Sequence, residues 1–465
     1  MLNIPEKVRN TLIEKYDVPG SFYTSYPSLS RWDESFHDND YRETLLEFFS
    51  SEDNPPLSLY IHFPFCAELC YYCFCTIAVT KNRVRISKYL EYLKKELGMF
   101  ADFVKANSIK LNVKEVHLGG GSPSYMERGE LTELVDMLKT FIKIEDLKEF
   151  MIEIDVRNVD ADKVKFYHEL GFNRISMGIQ DLYSDVQKAI NRIQPVEMLE
   201  SILTPEVKEA FGSINFDLIY GLPRQTRESF RETIATVEKF APDRICLYCY
   251  NHRPDIHKHQ ALMHKSELPD IYEKNMINME SIQRLGELGY ERIGIDHFAK
   301  VNDDLAVAKR NRTLTRLFNG YAPGRTHHLL GFGAASSSTY KTFYSQNYYS
   351  HDEYFKCIDE GKFPIFRGYK LDKDDVIRRD VIFRILTVSY VDIHEVETTY
   401  GITFNKYFRS AIDSMGEMIS DGLVEITPSA LGVTALGSFF LRNICMPFDK
   451  YCVDANFKDV IGIKN

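Results

Sequence analysis

The middle of the chain alternates short hydrophobic, β-rich runs with longer amphipathic stretches. Six of the hydrophobic runs have the length and the residue types of strands. These candidate strands are Leu57–Phe63, Val113–Gly119, Phe150–Val156, Arg174–Ile179, Ser213–Tyr220 and Arg244–Tyr250. Strands that alternate with helices are parallel and are joined by right-handed crossovers. The pattern therefore predicts an α/β fold, and periodicity alone leaves a closed barrel, a partial barrel and an open sheet as alternatives.

The amphipathic stretches between the strands predict helices. A clear example is SKYLEYLKKELGMFADFVKA at residues 87–106, where Ser87 is a candidate N-cap. Several motif residues fall at the ends of the predicted strands. Barrels and open α/β sheets build their active sites at such strand ends.

Both ends of the chain differ from this middle part. Residues 1–50 contain the tyrosine-rich segment GSFYTSYPSLSRW, which predicts a surface arm packed through its aromatic rings. After residue 365 the pattern is helical, and residues 392–426 have the helix–helix–strand order of a winged helix. Such units can bind DNA, but the many acids here favour a packing or lid role. The predicted domains are residues 1–50, 51–365 and 366–465.

Length, charge and cysteine usage narrow the class of protein. The 465 residues, 44% hydrophobic and 27% charged, predict a soluble protein with one large and one or two smaller domains. A net charge of −10 argues against a general nucleic-acid binder, which needs a basic face. The sequence begins without a secretory signal and contains no apolar run long enough to span a bilayer. Nine mostly scattered cysteines do not predict a disulfide framework, so we expect a cytoplasmic protein.

Four cysteines fall within ten residues. Cys66, Cys70 and Cys73 have C-x3-C-x2-C spacing, and Cys75 follows closely. Three thiolates on one short loop can hold three irons of a cluster that usually takes four cysteines. The fourth iron keeps an open position for a substrate or cofactor. A zinc site or a disulfide is the alternative, but the five downstream cysteines supply no clean second ligand pair.

This loop resembles that of radical S-adenosylmethionine (SAM) enzymes, and other segments extend the resemblance to one family, the oxygen-independent coproporphyrinogen III oxidases. The matching segments are Tyr60–Cys75, YTSYPS at 23–28, LGGGSPSYM at 118–126, GFNRISMGIQD at 171–181, FDLIYGLPRQT at 216–226, IGIDHFA at 293–299 and LRNICMPFDKY at 441–451. They occur in order from about residue 17 to about residue 451. The resemblance therefore covers nearly the whole chain.

The resemblance implies a partial (β/α)6 barrel with an N-terminal arm near the active-site opening and a mainly helical C-terminal domain. It implies a [4Fe-4S] cluster held by Cys66, Cys70 and Cys73, with SAM on the open iron. The reduced cluster would cleave SAM to methionine and a 5′-deoxyadenosyl radical. Cys75 is implied to be required for activity without being a cluster ligand, and a buried free thiol is the alternative.

The resemblance also implies contacts to two SAM molecules. Those to the SAM on the cluster are Tyr60, Gly120, Asn251 and Ser337, and those to the second SAM are Tyr72, Gly121, Ser122, Gln180, Arg192 and Asp217. Glu153 matches a further SAM contact, with a salt-bridged core acid as the plainer interpretation. His62 shares a strand face with Tyr60, since residues two apart point the same way. It is a candidate catalytic group or a satisfied core histidine.

The substrate of the family is a porphyrinogen with four propionates. The densest basic stretch, residues 309–328, is the candidate to hold them, because arginine matches carboxylates in shape. Its cations are Lys309, Arg310, Arg312, Arg316 and Arg325. Departures from the family pattern are Gly20-Ser21-Phe22 before the arm motif, Asn251 and Ser337 in place of small or apolar residues, and His327-His328 where an acid is common.

The function that the resemblance implies is oxidative decarboxylation of coproporphyrinogen III to protoporphyrinogen IX without oxygen. The expected partners are that tetrapyrrole and an electron donor such as flavodoxin or ferredoxin, and the expected state is a monomer without membrane or nucleic-acid partners. One rival is a haem-binding chaperone of a sister branch. That branch has an acid in place of Cys75 and lacks the arm and the C-terminal region. A second rival is another radical reaction on a tetrapyrrole, for which His327-His328 and the altered arm leave room.

Overall fold

The computed structural model describes residues 6–18, 20–325 and 327–452. The chain forms two compact units. The larger contains Asp33–Pro269 and Thr326–Tyr369, and the smaller contains the residues up to Trp32, Asp270–Arg325 and the residues from Lys370 onward. Both units are therefore built from segments that are distant in sequence. The division at residues 50 and 365 stays a prediction of domain boundaries.

The larger unit is organised around one sheet. Its strands are β1 (Pro56–Phe63), β2 (Asn112–Gly120), β3 (Glu149–Ile154), β4 (Arg174–Gln180), β5 (Ser213–Tyr220), β6 (Arg244–Cys249), β7 (His328–Phe332), β8 (Ser337–Thr339), β9 (Phe343–Asn347) and β10 (Ile365–Lys370). They lie in the order β10-β9-β8-β7-β1-β2-β3-β4-β5-β6. All pairs from β7 to β6 are parallel, while β7–β8 and β8–β9 are antiparallel.

The α/β prediction and the six predicted parallel strands are confirmed, with bounds that differ by at most two residues at either end. These strands are largely buried because helices cover a parallel sheet. The sequence pattern missed β7, which pairs with β1 although more than 260 residues separate them, from Leu57↔His328 to Ile61↔Phe332. The strand order of this unit is linear, so its strands do not close into a complete barrel.

The α-helices of the larger unit connect the strands or flank the sheet. They are Asp38–Ser51, Arg83–Ala106, Arg128–Lys139, Ala161–Glu169, Ser184–Ala189, Val196–Ile202, Pro205–Ala210, Arg227–Phe240 and His351–Asp359. The prediction of Ser87 as an N-cap was wrong. The helix begins at Arg83, because the Asn82 side chain accepts hydrogen bonds from the backbone N–H groups of Val84 and Arg85 at 3.0 and 3.3 Å.

The smaller unit is mainly helical. Its helices are Glu6–Tyr16, Ile271–Glu287, Asp304–Arg310, Lys373–Val388, Ile393–Tyr400, Phe404–Tyr407, Arg409–Ser414, Gly416–Ser420 and Leu441–Cys445. Its strands are Tyr290–Ile293, His297–Lys300, Leu314–Leu317, Gly320–Pro323, Tyr390–Asp392, Val424–Ile426 and Ala430–Val433. The last three form an antiparallel sheet next to short helices, which matches the predicted winged-helix-like order.

The tyrosine-rich arm contributes to the core of this smaller unit. Tyr23 and Tyr26 are each 1% exposed and belong to the same hydrophobic cluster as Ile377, Ile385 and Phe448. The predicted packing of the arm through its aromatic rings agrees with this arrangement. Within the described part of the chain, no helix is long and apolar enough to cross a membrane.

Candidate functional site

The four clustered cysteines lie on the loop that follows β1, at the carboxyl edge of the parallel strands. Two short strands, Phe65–Cys66 and Ala78–Val79, pair in parallel and close the stem of this loop. The Cys73 N–H donates to the Cys70 carbonyl at 3.1 Å, and the Thr80 N–H donates to the Cys66 carbonyl at 3.1 Å. We call residues 66–75 the cysteine loop.

Two arginines face the sulfur of Cys70. A guanidinium nitrogen of Arg157 lies 3.4 Å from the Cys70 sulfur, and one of Arg192 lies 3.5 Å from it. Both arginines also form ion pairs with the Asp155 carboxylate, at 2.6 and 3.1 Å. Burial alone would raise the pKa of Asp155, but the two guanidinium groups outweigh it and lower that pKa to about 2. The Cys70 sulfur therefore lies beside two guanidinium groups whose N–H groups face it.

The other loop thiols are also close to one another. Burial, followed by the nearby Cys70, raises the pKa of Cys66 to about 12. A hydrogen bond with Cys73 is the main cause that raises the pKa of Cys75. Thiols that lie this close together become ligands when a thiophilic metal displaces their protons. The fourth cysteine thus lies beside a predicted ligand, Cys73, and the loop can supply soft sulfur donors together.

The donor chemistry of the loop fits an iron–sulfur cluster. Three thiols on one short loop can bind irons of the cluster. The two guanidinium groups at Cys70 can offset the negative charge of a thiolate-bound cluster. Among the described residues, no group of three or more His, Cys, Asp or Glu side chains has metal-binding spacing. The thiols of Cys66, Cys70 and Cys73 would therefore have to draw together around the metal.

A polar group at the ends of β1, β2 and β3 lies beside this loop. The Tyr60 hydroxyl and His62 Nδ1 are 3.1 Å apart, and His62 Nε2 is 3.1 Å from the Thr76 carbonyl oxygen. Glu153 accepts from the Gly120 N–H at 3.2 Å and lies 2.9 Å from His117 Nε2. Burial lowers the pKa of His62, so its imidazole is neutral at pH 7. The structure thus brings the predicted Tyr60, His62, Gly120 and Glu153 together.

The glycines after β2 leave space that side chains would fill. Gly120 has φ +110°, and a Cβ on it would lie 2.5 Å from the His62 ring. A Cβ on Gly121 would lie 2.7 Å from the Pro64 backbone. Backbone can approach a ligand closely at such positions. Ser122 follows, with its hydroxyl 2.8 Å from that of Ser124, and its own N–H donates to Phe65 at 2.9 Å.

Three of the contacts predicted for a second SAM lie on β4 and β5 and in the segment after β4. Gln180 has φ +63° at an irregularity in the pairing of β4 with β5. The Arg192 guanidinium donates to the Gly178 carbonyl at 2.7 Å and so reaches the same place. Asp217 accepts from Ser176 at 3.0 Å. Burial, followed by the charge of Glu153, raises the pKa of Asp217.

The remaining predicted SAM contacts are Tyr72, Asn251 and Ser337. Tyr72 is half-buried on the cysteine loop, and burial raises the pKa of its hydroxyl while Arg192 opposes that shift. Asn251 is half-buried two residues after β6. Ser337 begins β8 and is buried, and its hydroxyl has no hydrogen-bond partner among the described residues. A buried hydroxyl without a partner fits a position that a polar ligand completes.

Sequence reasoning missed several residues of the site. They are Asp155, Arg157, His117, Ser176, Asn215 and His259, whose Nε2 lies 2.8 Å from the Cys73 carbonyl oxygen. A signal existed for the first two, because Asp-Val-Arg comes directly after β3. Polar residues at that position face the carboxyl edge of a parallel sheet.

The histidine pair that the sequence linked to the substrate lies away from the cysteine loop. His327 and His328 precede and begin β7, and His328 pairs with Leu57 at the start of β1, six residues before its end. His327 Nε2 lies 2.7 Å from the Ser58 hydroxyl. These histidines are therefore at the amino edge of the strands, about 20 Å from the cysteine loop at roughly 3.3 Å per residue. Whether they change the substrate stays a hypothesis, and at this edge they would have to act without lying beside the cysteine loop.

The basic residues 309–325 belong to the smaller unit and have partners within it. Arg310 pairs with Glu291, and Arg325 pairs with Glu395. The Arg312 guanidinium lies 3.7 Å from the centre of the Tyr390 ring. The Lys309 ammonium donates to the Arg292 carbonyl at 2.7 Å, and the buried Arg316 guanidinium lies over the Tyr321 ring. Their suggested role in holding a propionate stays a hypothesis.

Comparisons with known proteins show which family the chain resembles over its length. The family model described as the radical SAM superfamily matches residues 60–237. The chain is 37% identical to the oxygen-independent coproporphyrinogen III oxidase of Salmonella typhimurium over 95% of this chain and 94% of that protein. It is 36% identical to that of Pseudomonas aeruginosa over 96% of both. The solved coproporphyrinogen III oxidase of Escherichia coli, described as a radical SAM enzyme, superposes with a TM-score of 0.87 at 35% identity, covering 95% of this chain and 98% of that one.

Proposed function

The chain belongs to the family of oxygen-independent coproporphyrinogen III oxidases, and from that premise we propose that it oxidises coproporphyrinogen III as a radical SAM enzyme of haem biosynthesis. The observation that carries the proposal is the position of the cysteine loop. It lies at the carboxyl edge of the sheet, beside the glycines after β2 and the polar group of Tyr60, His62 and Glu153. This is where α/β folds place their chemistry.

We assign Cys66, Cys70 and Cys73 as ligands of a [4Fe-4S] cluster with one open iron. When bound, the reduced cluster and SAM supply a 5′-deoxyadenosyl radical, which is the difficult part of the chemistry. Arg157 and Arg192 would donate N–H groups to the Cys70 sulfur of the bound cluster. Cys75 is kept out of the ligand set and is proposed as a thiol required for turnover.

The chain's own residues would hold SAM on one side of this loop. Glu153 offers a carboxylate that already accepts the Gly120 N–H, and Tyr60 and His62 form the adjoining polar surface. The glycine backbone allows the methionine end of SAM to approach closely. Ser337 brings a buried hydroxyl that lacks a partner among the described residues, and Asn251 lies after β6. The proposed neighbours of the SAM on the cluster are therefore Tyr60, Gly120, Glu153, Asn251 and Ser337, with His62 beside them.

A second SAM is proposed beside the first. Its contacts are Tyr72, Gly121, Ser122, Gln180, Arg192 and Asp217, which lie on the cysteine loop and after or within β2, β4 and β5. Two SAM molecules would match two turnovers on one substrate. Each turnover removes one hydrogen atom from the β-carbon of a propionate. The substrate radical then loses carbon dioxide and one electron to an acceptor, and a vinyl group remains.

The electron that reduces the cluster must come from outside the chain. A small donor such as flavodoxin or ferredoxin is the proposed source, and the proposed state is a cytoplasmic monomer. The donor loses one electron for each SAM cleaved. No bond to the protein forms in that step.

An anaerobic assay tests the proposal. Protein reconstituted with iron and sulfide is incubated with SAM, a chemical reductant and coproporphyrinogen III. We expect two molecules of carbon dioxide and one divinyl porphyrinogen per substrate. SAM cleavage without decarboxylation would contradict the proposed substrate, and stable haem binding without turnover would favour a chaperone.

Two cysteine variants serve as matched controls in that assay. Cys73→Ser should lose cluster iron together with activity. Cys75→Ser should keep the iron and the spectrum of the cluster but lose decarboxylation. Equal iron loss in both variants would contradict the division into three ligands and one additional thiol.

A further inference from the structure

A cleft of about 510 Å³ lies beside the stem of the cysteine loop and has no role in the mechanism above. Its floor includes Pro64 and Thr76, and its walls include Arg85 and Lys88 from one helix and His351 and Phe355 from another. Its volume is in the range of ligand sites. We call it the loop cleft.

The floor of the loop cleft is the backbone that supports the proposed ligands. Pro64 lies two residues before Cys66, and Thr76 directly follows Cys75. The Ala78 N–H donates to the Pro64 carbonyl at 2.7 Å, which joins the two sides of the stem. The loop cleft therefore adjoins the chain on both sides of the cysteine loop.

The charge along one wall of the cleft is positive and largely unpaired. Residues 81–88 contain four cations and no acid. Arg83 pairs with Glu127 and Glu130. The other three, Lys81, Arg85 and Lys88, form no ion pair within the described part of the chain. One acidic side chain, that of Asp352, also lines the cleft.

Aromatic rings hold the two cleft cations in place. The Arg85 guanidinium lies 6.0 Å from the centre of the Phe65 ring, and the Lys88 ammonium lies 4.9 Å from that of Phe355. Cation–π contacts use the face of the ring and leave N–H groups free for an anion. Tyr349, which is 40% exposed, adds an aromatic side chain to the lining. Arginine and exposed aromatic residues are typical of protein interfaces.

His351 also lines the cleft, close to Arg85. Burial, followed by the charges of Arg85 and His62, lowers the pKa of His351 to about 4. The charge of Arg85 contributes to this lowering of the His351 pKa. A negative group bound in the cleft would offset that contribution.

An acidic partner would meet an unfavourable field over most of this chain, whose net charge is −10. A local group of unpaired cations would steer such a partner to one place. We propose that the loop cleft docks a small acidic one-electron donor protein, of the flavodoxin or ferredoxin kind, with Arg85 and Lys88 as its electrostatic anchors. This inference rests on the proposed function, because only a cluster in the cysteine loop needs that electron.

The experiment compares reduction of the cluster by two reductants under anaerobic stopped flow. One is a reduced acidic flavodoxin, and the other is photoreduced deazariboflavin, which is small and uncharged. In Arg85→Glu/Lys88→Glu we expect at least tenfold slower reduction by flavodoxin at low ionic strength. Salt should narrow the gap, since it screens exposed charges. Reduction by deazariboflavin should not change.

A charge-matched control lies at the far end of the same helix and just beyond it. Lys105→Glu/Lys110→Glu makes the same change in net charge about 30 Å away, at roughly 1.5 Å per helical residue. It should keep the rate of the unmodified protein with both reductants. Arg85→Lys/Lys88→Arg should also keep it, because both cations remain.

Three outcomes would overturn the docking site. One is an equal effect of both charge-reversal pairs, and another is an equal loss with flavodoxin and deazariboflavin, which would place the effect on the loop itself. The third is that the Arg85→Glu/Lys88→Glu variant has an altered KM for coproporphyrinogen III while its rate of reduction by flavodoxin is unchanged. That result would indicate that the cleft binds a propionate of the substrate. If decarboxylation fails but the flavodoxin effect persists, the docking site stands and the proposed substrate falls.

Discussion

Gly120 combines a left-handed backbone with a neighbour that leaves no room for a methyl group. Its φ is +110°, and a Cβ would lie 2.5 Å from a carbon of the His62 ring. His62 cannot easily move away, because Nε2 lies 3.1 Å from the Thr76 carbonyl oxygen of the cysteine loop. The glycine therefore couples the proposed SAM side of the site to the cysteine loop.

Gly120→Ala should weaken SAM binding by at least tenfold, since both strain and the clash with His62 oppose the native backbone. Binding is measured by anaerobic equilibrium dialysis with the reconstituted protein. Gly129→Ala is the matched control, because a Cβ there meets nothing within 4 Å. It should bind SAM normally, and equal binding by both variants would refute the proposed role of Gly120.

Also at the residue scale, Arg157 is proposed to act on the cluster. Its guanidinium lies 3.4 Å from the Cys70 sulfur and is held by Asp155. Hydrogen bonds and positive charge at a cluster sulfur favour the reduced state, which carries more negative charge.

Arg157→Gln should therefore lower the reduction potential of the cluster, as measured by a redox titration followed by electron paramagnetic resonance. Arg244→Gln removes an arginine that pairs with Glu149 at the opposite edge of the strands. The reduction potential of the cluster in this control variant should equal that in the unmodified protein. An unchanged potential in Arg157→Gln would remove this arginine from the cluster environment.

At the scale of elements, the helix Arg83–Ala106 is tied to the turn after β7 through a buried acid. Glu96 is 2% exposed and accepts from the Gly333 N–H at 2.7 Å, the Tyr354 hydroxyl at 2.6 Å and Asn347 at 2.7 Å. Gly333 in turn packs against the His62 carbonyl, which a Cβ on this glycine would approach to 2.6 Å. The acid thus supports the element pair that frames the cysteine loop.

Burial raises the pKa of Glu96 from 4.5 to about 7, because the three hydrogen bonds offset only part of the desolvation. The folded protein then binds this proton more tightly than the unfolded chain does. Its stabilising effect is complete below pH 4.5 and is lost as the pH rises to about 7.

Glu96→Gln removes that titration. From pH 4.5 to 7.5 the unfolding free energy should shift in favour of the variant, by up to about 3 kcal/mol relative to the unmodified protein. Calorimetry of the apoprotein at both pH values measures the shift through Tm. Glu91→Gln, on the same helix but exposed and paired with Lys95, is the control and should not show it. A parallel pH profile for both variants would contradict the assignment.

At the scale of the whole molecule, the two edges of the parallel strands have different roles. The carboxyl edge carries the cysteine loop and the polar groups, while the amino edge carries His327, Ser58 and Glu115. The Ser58 hydroxyl donates to Glu115 at 2.6 Å and lies 2.7 Å from His327 Nε2. This buried network connects β7 to β1 and β2.

His327→Ala should lower stability by about 1–3 kcal/mol, because it leaves buried polar groups without a partner. It should leave kcat/KM and the identity of the product unchanged. Thermal unfolding and the anaerobic assay measure the two effects separately. A changed product would restore the idea that this histidine alters the substrate.

Much of the fold followed from local patterns. The six parallel strands were predicted because hydrophobic periodicity is a local property of the chain. The helix at 83–106 was predicted with the wrong start, since Asn82 and Ser87 are both good N-caps and only the backbone path chooses between them. The strand β7 was missed because its partner β1 is distant in sequence.

The sequence by itself determined the cysteine spacing, the glycines after β2 and, through many matching segments, the family. These depend on residue type and short separations. Only the tertiary structure shows that Arg157 lies beside Cys70 and that His327 lies at the amino edge of the strands. It alone also shows that Arg85, Lys88 and His351 line the same cleft. Such pairs depend on how distant segments pack, and neither composition nor periodicity contains that information.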